Sequence, residues 1–184
     1  MAKKVLVAPA MFDLEMTNLA ANFGRLICGS IYPYGAAEPT TYRIDQTESG
    51  RREVWNDRDL AVQLRDAIED HFLVISYNGV MFDLKFLNSR LLHYGERPMR
   101  FPMHKDLLFV AKWVFALSNN TLQSVQDHLG LVEKKTRLHP GYWNRAAGGD
   151  PEAIQYIVEH CEQDVKVLAE VFEHLAPFVK EIHA

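Results

Sequence analysis

Cysteine is nearly absent, occurring only at Cys28 and Cys161. With neither a CxxC spacing nor a Cys/His set, a disulfide framework and a structural zinc site are excluded, and a reducing compartment fits best. An excess of basic residues is also missing: 20 Lys and Arg stand against 24 Asp and Glu, a formal charge of −4. Proteins that grip phosphate backbones are usually basic, so the balance counts against a purely electrostatic nucleic-acid binder. Long apolar runs are missing too. Lys3 and Lys4 precede only a short stretch over residues 5–11, soon followed by Asp13 and Glu15, which is no signal-peptide core. Residues 107–117 are interrupted by Lys112 and are too few to span a bilayer. A soluble, cytoplasmic protein without a membrane partner is expected, and neither repeats nor low-complexity segments are visible.

What is there is an ordinary globular composition, 48% hydrophobic over 184 residues, which predicts a single domain over residues 1–184. Apolar β-type runs at residues 5–12, 25–32 and 40–44 are punctuated by Gly24, Gly29, Gly35 and Pro39, as in an antiparallel meander. Asp57 or Asp59 is placed to cap a helix reaching about Asp70, with Leu60, Val62, Leu64 and Ile68 as its buried side. A short strand at residues 72–77 ends at Asn78 and Gly79, and Phe82, Leu84, Phe86, Leu87, Leu91 and Leu92 then predict a largely buried helix. Further on come a strand at 103–108, a helix at 111–117, and a helix begun by Thr121 and closed by Gly130. Residues 133–150 read as a long polar loop. Asp150 and Pro151 then open a helix running to Leu175.

Three acidic elements stand out. Asp13 and Glu15, one residue apart at the end of a predicted strand, point to the same face and are able to share a cation. Asp83 falls in the first turn of a helix after a buried strand, where an acid also simply complements the helix dipole. His160 and Asp164 are four apart on the late helix, stacked on one face. An ordinary surface pair has that spacing, but Asp164 is flanked by Val158, Val165, Val167 and Leu168, and a buried carboxylate needs a partner or a metal.

In this order, Asp13-x-Glu15, Asn78-x-x-x-Phe82-Asp83 and His160-x-x-x-Asp164 resemble the DEDD superfamily of 3′-to-5′ exonucleases over about residues 5–175. Asp106-Leu107-Leu108, Leu122-Gln123-Ser124-Val125 and Cys161-Glu162-Gln163-Asp164-Val165 are similar to the branch that includes family B DNA polymerase proofreading domains. The resemblance implies an α/β, ribonuclease H-like fold: a mixed central sheet, antiparallel meander plus parallel strands, flanked by helices. It implies two Mg²⁺ or Mn²⁺ ions held by Asp13, Glu15, Asp83 and Asp164, roughly 4 Å apart as in two-metal nucleases. Two such ions would also bring the formal charge from −4 to zero.

Position 160 departs from the family. It carries the histidine of one subgroup at the four-residue offset of the tyrosine subgroup, and one residue turns a side chain by about 100° on a helix. His160 is therefore expected in the tyrosine's place as a general base, since an imidazole titrating near 6.5 accepts a proton that a phenol near 10 does not donate or take up at neutral pH. A histidine that only packs or pairs with Asp164 is the alternative, and Tyr156, one turn earlier, is a weaker substitute. By the same resemblance the backbone around Met16 and Thr17 and the side chains of Asn78 and Phe82 lie near the terminal nucleotide, although Phe82 fits a core position equally well. Lys134, Lys135, Arg137, Tyr142, Trp143 and Arg145 form either a strand-binding element or a solvated run with an aromatic anchor. The expected partners are 3′ ends of single-stranded DNA or RNA, with a replication or repair protein beside them. A catalytically silent binding module and an endonuclease or resolvase on the same fold are the competing functions.

Overall fold

The computed structural model describes residues 8–100, 102–132 and 139–179. Five strands form one mixed sheet: β1 (Ala10–Met16), β2 (Leu26–Pro33), β3 (Thr40–Arg43), β4 (Leu73–Ser76) and β5 (Met103–Asp106), in the spatial order β3-β2-β1-β4-β5. The first three make the expected antiparallel meander, while β4 runs parallel to both β1 and β5. The helices are α1 (Glu48–Arg52), α2 (Arg58–Glu69), α3 (Asp83–His93), α4 (Leu107–Val114), α5 (Leu122–Leu129), α6 (Pro140–Ala147) and α7 (Pro151–Leu175).

Strand alternation divides the interior. Ala10, Phe12, Leu14 and Met16 join α2, α3 and the first half of α7 in one apolar cluster, whereas Met11, Leu73 and Ile75 join α4, α5 and the second half of α7 in another. α7 therefore bridges both clusters. Its start follows from Asp150, whose side chain accepts from Ala153 N, and Pro151 in the first turn. Thr121 and Gly130 bound α5 as expected, with Gly130 in the left-handed conformation at φ 65°. Among the described residues no helix is long and apolar enough to cross a membrane.

Several local expectations are corrected. β1 continues past residue 12, because its ladder with β2 runs through Asp13, Glu15 and Met16; the two acids lie within the strand, and residues 5–7 of the expected run lie outside the described residues. Leu92 is exposed on α3, turned away from the face that buries Leu84, Leu87 and Leu91. α4 starts at Leu107, earlier than expected, because the Asp106 side chain caps it by accepting from Leu108 N. Residues 140–147 are helix, not loop: Pro140 occupies its first turn, His139 Nδ1 accepts from Gly141 N, and Tyr142, Trp143 and Ala146 give it an apolar side packed on the first cluster. Lys134, Lys135 and Arg137 lie outside the described residues.

Asp57 sits at the cap position of α2 but makes no capping bond. Its fully buried carboxylate instead accepts from Leu26 N at 2.8 Å, from Tyr94 Oη at 2.8 Å and from Arg90 at 2.7 Å, while Arg90 also donates to Ala21 O. This network ties the start of β2, the strand paired with β1, to α3, which carries Asp83. Removing one partner strands the other charge, which costs about 3–5 kcal/mol in buried pairs. Asp57→Ala is accordingly expected to lower unfolding free energy by that amount in urea titration, and Asp57→Asn by less.

Candidate active site

β1 occupies the centre of the sheet, so Asp13 and Glu15 are presented on its most constrained strand, on the side that meets α7. α7 brings His160 and Asp164 against them. His160 Nε2 stands 3.7 Å from Glu15 Oε1 and 3.6 Å from Asp164 Oδ2, with His160 2% and Asp164 4% exposed. One ligand atom from each of Glu15, His160 and Asp164 lies within 4.8 Å of the others.

Asp13 is not among these three converging donors but shares a cleft with one of them. It lines, with Asp164, an open cleft of about 420 Å³ whose walls include Tyr77, Asn78, Leu108 and Lys112. Beneath it, Cys161 Sγ donates to Asp13 O at 3.4 Å and lies 3.6 Å from Oδ2. Burial, with Cys28, Asp13 and Glu15 adding to it, pushes the Cys161 thiol well up, so it keeps its proton. In the sequence Cys161 appears within Cys161-Glu162-Gln163-Asp164-Val165, but nothing there marks it as a donor to Asp13.

Asp83, the first residue of α3, is 5% exposed and accepts from Leu14 N at 3.2 Å, so its carboxyl reaches β1 between the two strand acids. It is not one of the three converging donors. Burial pushes it up to about 7, Asp106 contributes in the same direction, and hydrogen bonds from the backbone N–H groups of Asp83 and Leu14 oppose the rise.

The turn before α3 is held by Asp106. Asn78 adopts φ 69°, a left-handed conformation uncommon outside glycine, and its N–H donates to Asp106 Oδ1 at 2.7 Å; Val80 N donates to Oδ2 at 3.1 Å. Gly79 is required beside it, since a Cβ there would come 2.4 Å from Ser76 Oγ. One buried carboxylate thus caps α4 and fixes the turn that delivers Asp83. Asp106→Ala removes the cap and both turn acceptors, and is expected to lower stability by about 1–3 kcal/mol in thermal or urea unfolding. In the sequence Asp106 stands out only within Asp106-Leu107-Leu108 on an expected strand, and nothing there marks it as the acceptor for this turn.

The remaining expected positions are distributed unevenly. Asn78 lines the cleft, but Met16, Thr17 and Phe82 are not part of its lining. Met16 is buried in the first apolar cluster, Thr17 N donates to Arg25 O, and Phe82 packs on that same cluster beside Phe86. Tyr156 stacks on Tyr142 at 4.0 Å between ring centroids. Arg145 pairs with Asp150 at 2.8 Å and Glu152 at 2.5 Å. Lys112, one turn after Leu108 on α4, supplies a basic group to the cleft that the motifs did not single out.

Comparison with known proteins follows the same lines. A family model described as RNase_H superfamily matches residues 10–176. The DNA polymerase III PolC-type of Ureaplasma parvum serovar 3 is 24% identical over 133 residues, covering 62% of this chain and 9% of that protein. The family B DNA polymerase of the hyperthermophilic archaeon Pyrobaculum calidifontis superposes with a TM-score of 0.70 at 18% identity, covering 94% of this chain and 25% of that one. The chain thus spans a small part of either polymerase.

Proposed function

The chain belongs to the RNase_H superfamily and has the ribonuclease H-like α/β fold, and from that premise we propose that it is a metal-dependent 3′-to-5′ exonuclease acting on single-stranded DNA or RNA. The reading rests on one observation above the others: donors of the half-buried Glu15 and the buried His160 and Asp164 converge, and Asp164 lines an open cleft together with Asp13. Carboxylates brought this close with little solvent repel one another and are stabilised by a cation.

The donor set suits hard divalent ions. Carboxylate oxygens dominate it, and the converging donors found among the described residues include no cysteine, so Mg²⁺ or Mn²⁺ fits. Asp13, Glu15 and Asp164 would hold two such ions, with Asp83 acting through metal-bound water. When bound, they supply an activated water and neutralise charge at the phosphate and the departing 3′ oxygen. The protein's own residues do the positioning. The central strand fixes Asp13 and Glu15, Leu14 N anchors Asp83, and Asp106 fixes the turn bearing Asn78. Tyr77, Leu108 and Lys112 give the cleft an aromatic, an apolar and a cationic contact for a strand end. Hydrolysis from that end releases nucleoside 5′-monophosphates.

A covalently closed single-stranded circle tests the reading against its competitors. The exonuclease degrades a linear oligonucleotide and leaves the circle of the same sequence intact. Cutting of the circle would make the chain an endonuclease, and binding of both forms without hydrolysis would make it a silent module.

A further inference from the structure

We infer that His160 is a direct ligand of the ion, through Nε2, and that the site therefore favours Mn²⁺ over Mg²⁺. The inference rests on the metal-site reading above and assigns position 160 a task other than moving a proton.

Distance is the first ground. Nε2 lies 3.7 Å from Glu15 Oε1 and 3.6 Å from Asp164 Oδ2, too far for hydrogen bonds to either oxygen. An imidazolium neutralising the two carboxylates would close to about 2.7–2.9 Å, the usual length of a charge-assisted bond. Donors that share one ion at about 2.1 Å stand roughly 3.0–4.2 Å apart, depending on the angle they subtend. The two observed separations fall within that interval, so the three side chains have the spacing of co-ligands.

Burial is the second ground. A general base has to reach the water it deprotonates, but His160 is 2% exposed and its Nε2 faces the two acids. The open cleft is lined by Asp13 and Asp164, and His160 is not in its lining. The four-residue offset gives the same result: it stacks His160 over Asp164 on α7 and turns both towards Glu15 on β1.

The chemical consequence concerns which ion is held. An imidazole nitrogen adds little for Mg²⁺, which keeps oxygen ligands and sheds water reluctantly, whereas first-row transition ions accept mixed nitrogen and oxygen sets. Among these Mn²⁺ is the one that carboxylates also suit.

Pulsed electron paramagnetic resonance on the tag-free full chain loaded with Mn²⁺ reads the bond directly. A nitrogen hyperfine coupling of the directly coordinated kind is expected in the wild type and is lost in His160→Gln, whose amide oxygen is able to remain a ligand. Titration with each ion should show Mn²⁺ affinity falling at least about tenfold in His160→Gln and Mg²⁺ affinity changing less than about threefold, the asymmetry expected when a nitrogen donor is replaced by oxygen. The wild-type spectrum needs no variant to fold: Mn²⁺ bound without nitrogen coupling overturns the inference, as does coupling that survives in folded His160→Gln. Hydrolysis assayed on the same samples keeps the two readings apart. Coupling without hydrolysis supports the ligand and sinks the nuclease, while hydrolysis without coupling sinks the ligand alone.

Discussion

Asp164→Ala is expected to slow hydrolysis by about 10³-fold or more while oligonucleotide affinity changes less than about threefold. Asp164 is 4% exposed, its Oδ2 is 3.6 Å from His160 Nε2, and it shares the cleft with Asp13. On the proposed reading, losing this carboxylate removes a ligand and weakens the hold on the ions that neutralise the remaining acids. Several kcal/mol of transition-state stabilisation go with it, and about 4 kcal/mol is a thousandfold in rate. On the same reading, strand binding draws on other residues of the cleft, Tyr77, Leu108 and Lys112, and should persist. Single-turnover kinetics beside fluorescence anisotropy separate the two. Parallel loss of binding and rate would assign Asp164 to the strand-binding surface, and unchanged hydrolysis would remove it from the site.

Ion-free protein is expected to lose stability as pH rises from 4 to 7, and divalent ions to restore it. Asp83 ionises near 3.8 as an ordinary carboxyl but at about 7 in the fold, because burial disfavours its charge. Between those values the folded state holds a proton that the unfolded chain has released. Stability therefore falls with rising pH through this window and levels off above it, the reverse of a salt-bridged carboxylate. The full penalty is about 4 kcal/mol above pH 7. Asp83→Asn keeps an oxygen to accept from Leu14 N and removes the charge, so it should flatten the profile and stabilise the ion-free form at pH 8. Urea titrations with chelator at pH 4.5 and pH 8 measure the difference, and repeating them with Mn²⁺ measures its reversal. Stability that rises across this range in the chelated protein would show that Asp83 is not buried as a protonated acid.

The legible parts of the molecule are those written in local pattern. The one-residue spacing of Asp13 and Glu15, the four-residue spacing of His160 and Asp164, and Asp150-Pro151 at the head of α7 each state a direction or a boundary within a few residues. The order of strands and helices could be read for the same reason. What remained hidden depends on partners far away in the chain. Asp57 reads as a helix cap until Arg90 and Leu26 are folded onto it. Pro140 and Gly141 read as loop because the surface that α6 covers, chiefly α7, exists only once the chain folds back on itself, and Arg25, more than a hundred positions earlier, donates to Ala147 O at its end. Asp106 and Cys161 act through Asn78, Val80 and Asp13, contacts that no spacing rule anticipates. Position 160 combines both cases: its offset is visible in sequence, whereas its distances to Glu15 and Asp164 come only from the meeting of β1 and α7.

The proposed attack depends on metal and begins at a 3′ end. Its most direct measurement is a time course on 5′-labelled single-stranded DNA and RNA with Mg²⁺, Mn²⁺ or chelator. A ladder of labelled products shortening one nucleotide at a time, present with either ion and absent with chelator, is the predicted result. Internal fragments at the earliest times, or products that persist in chelator, would contradict it.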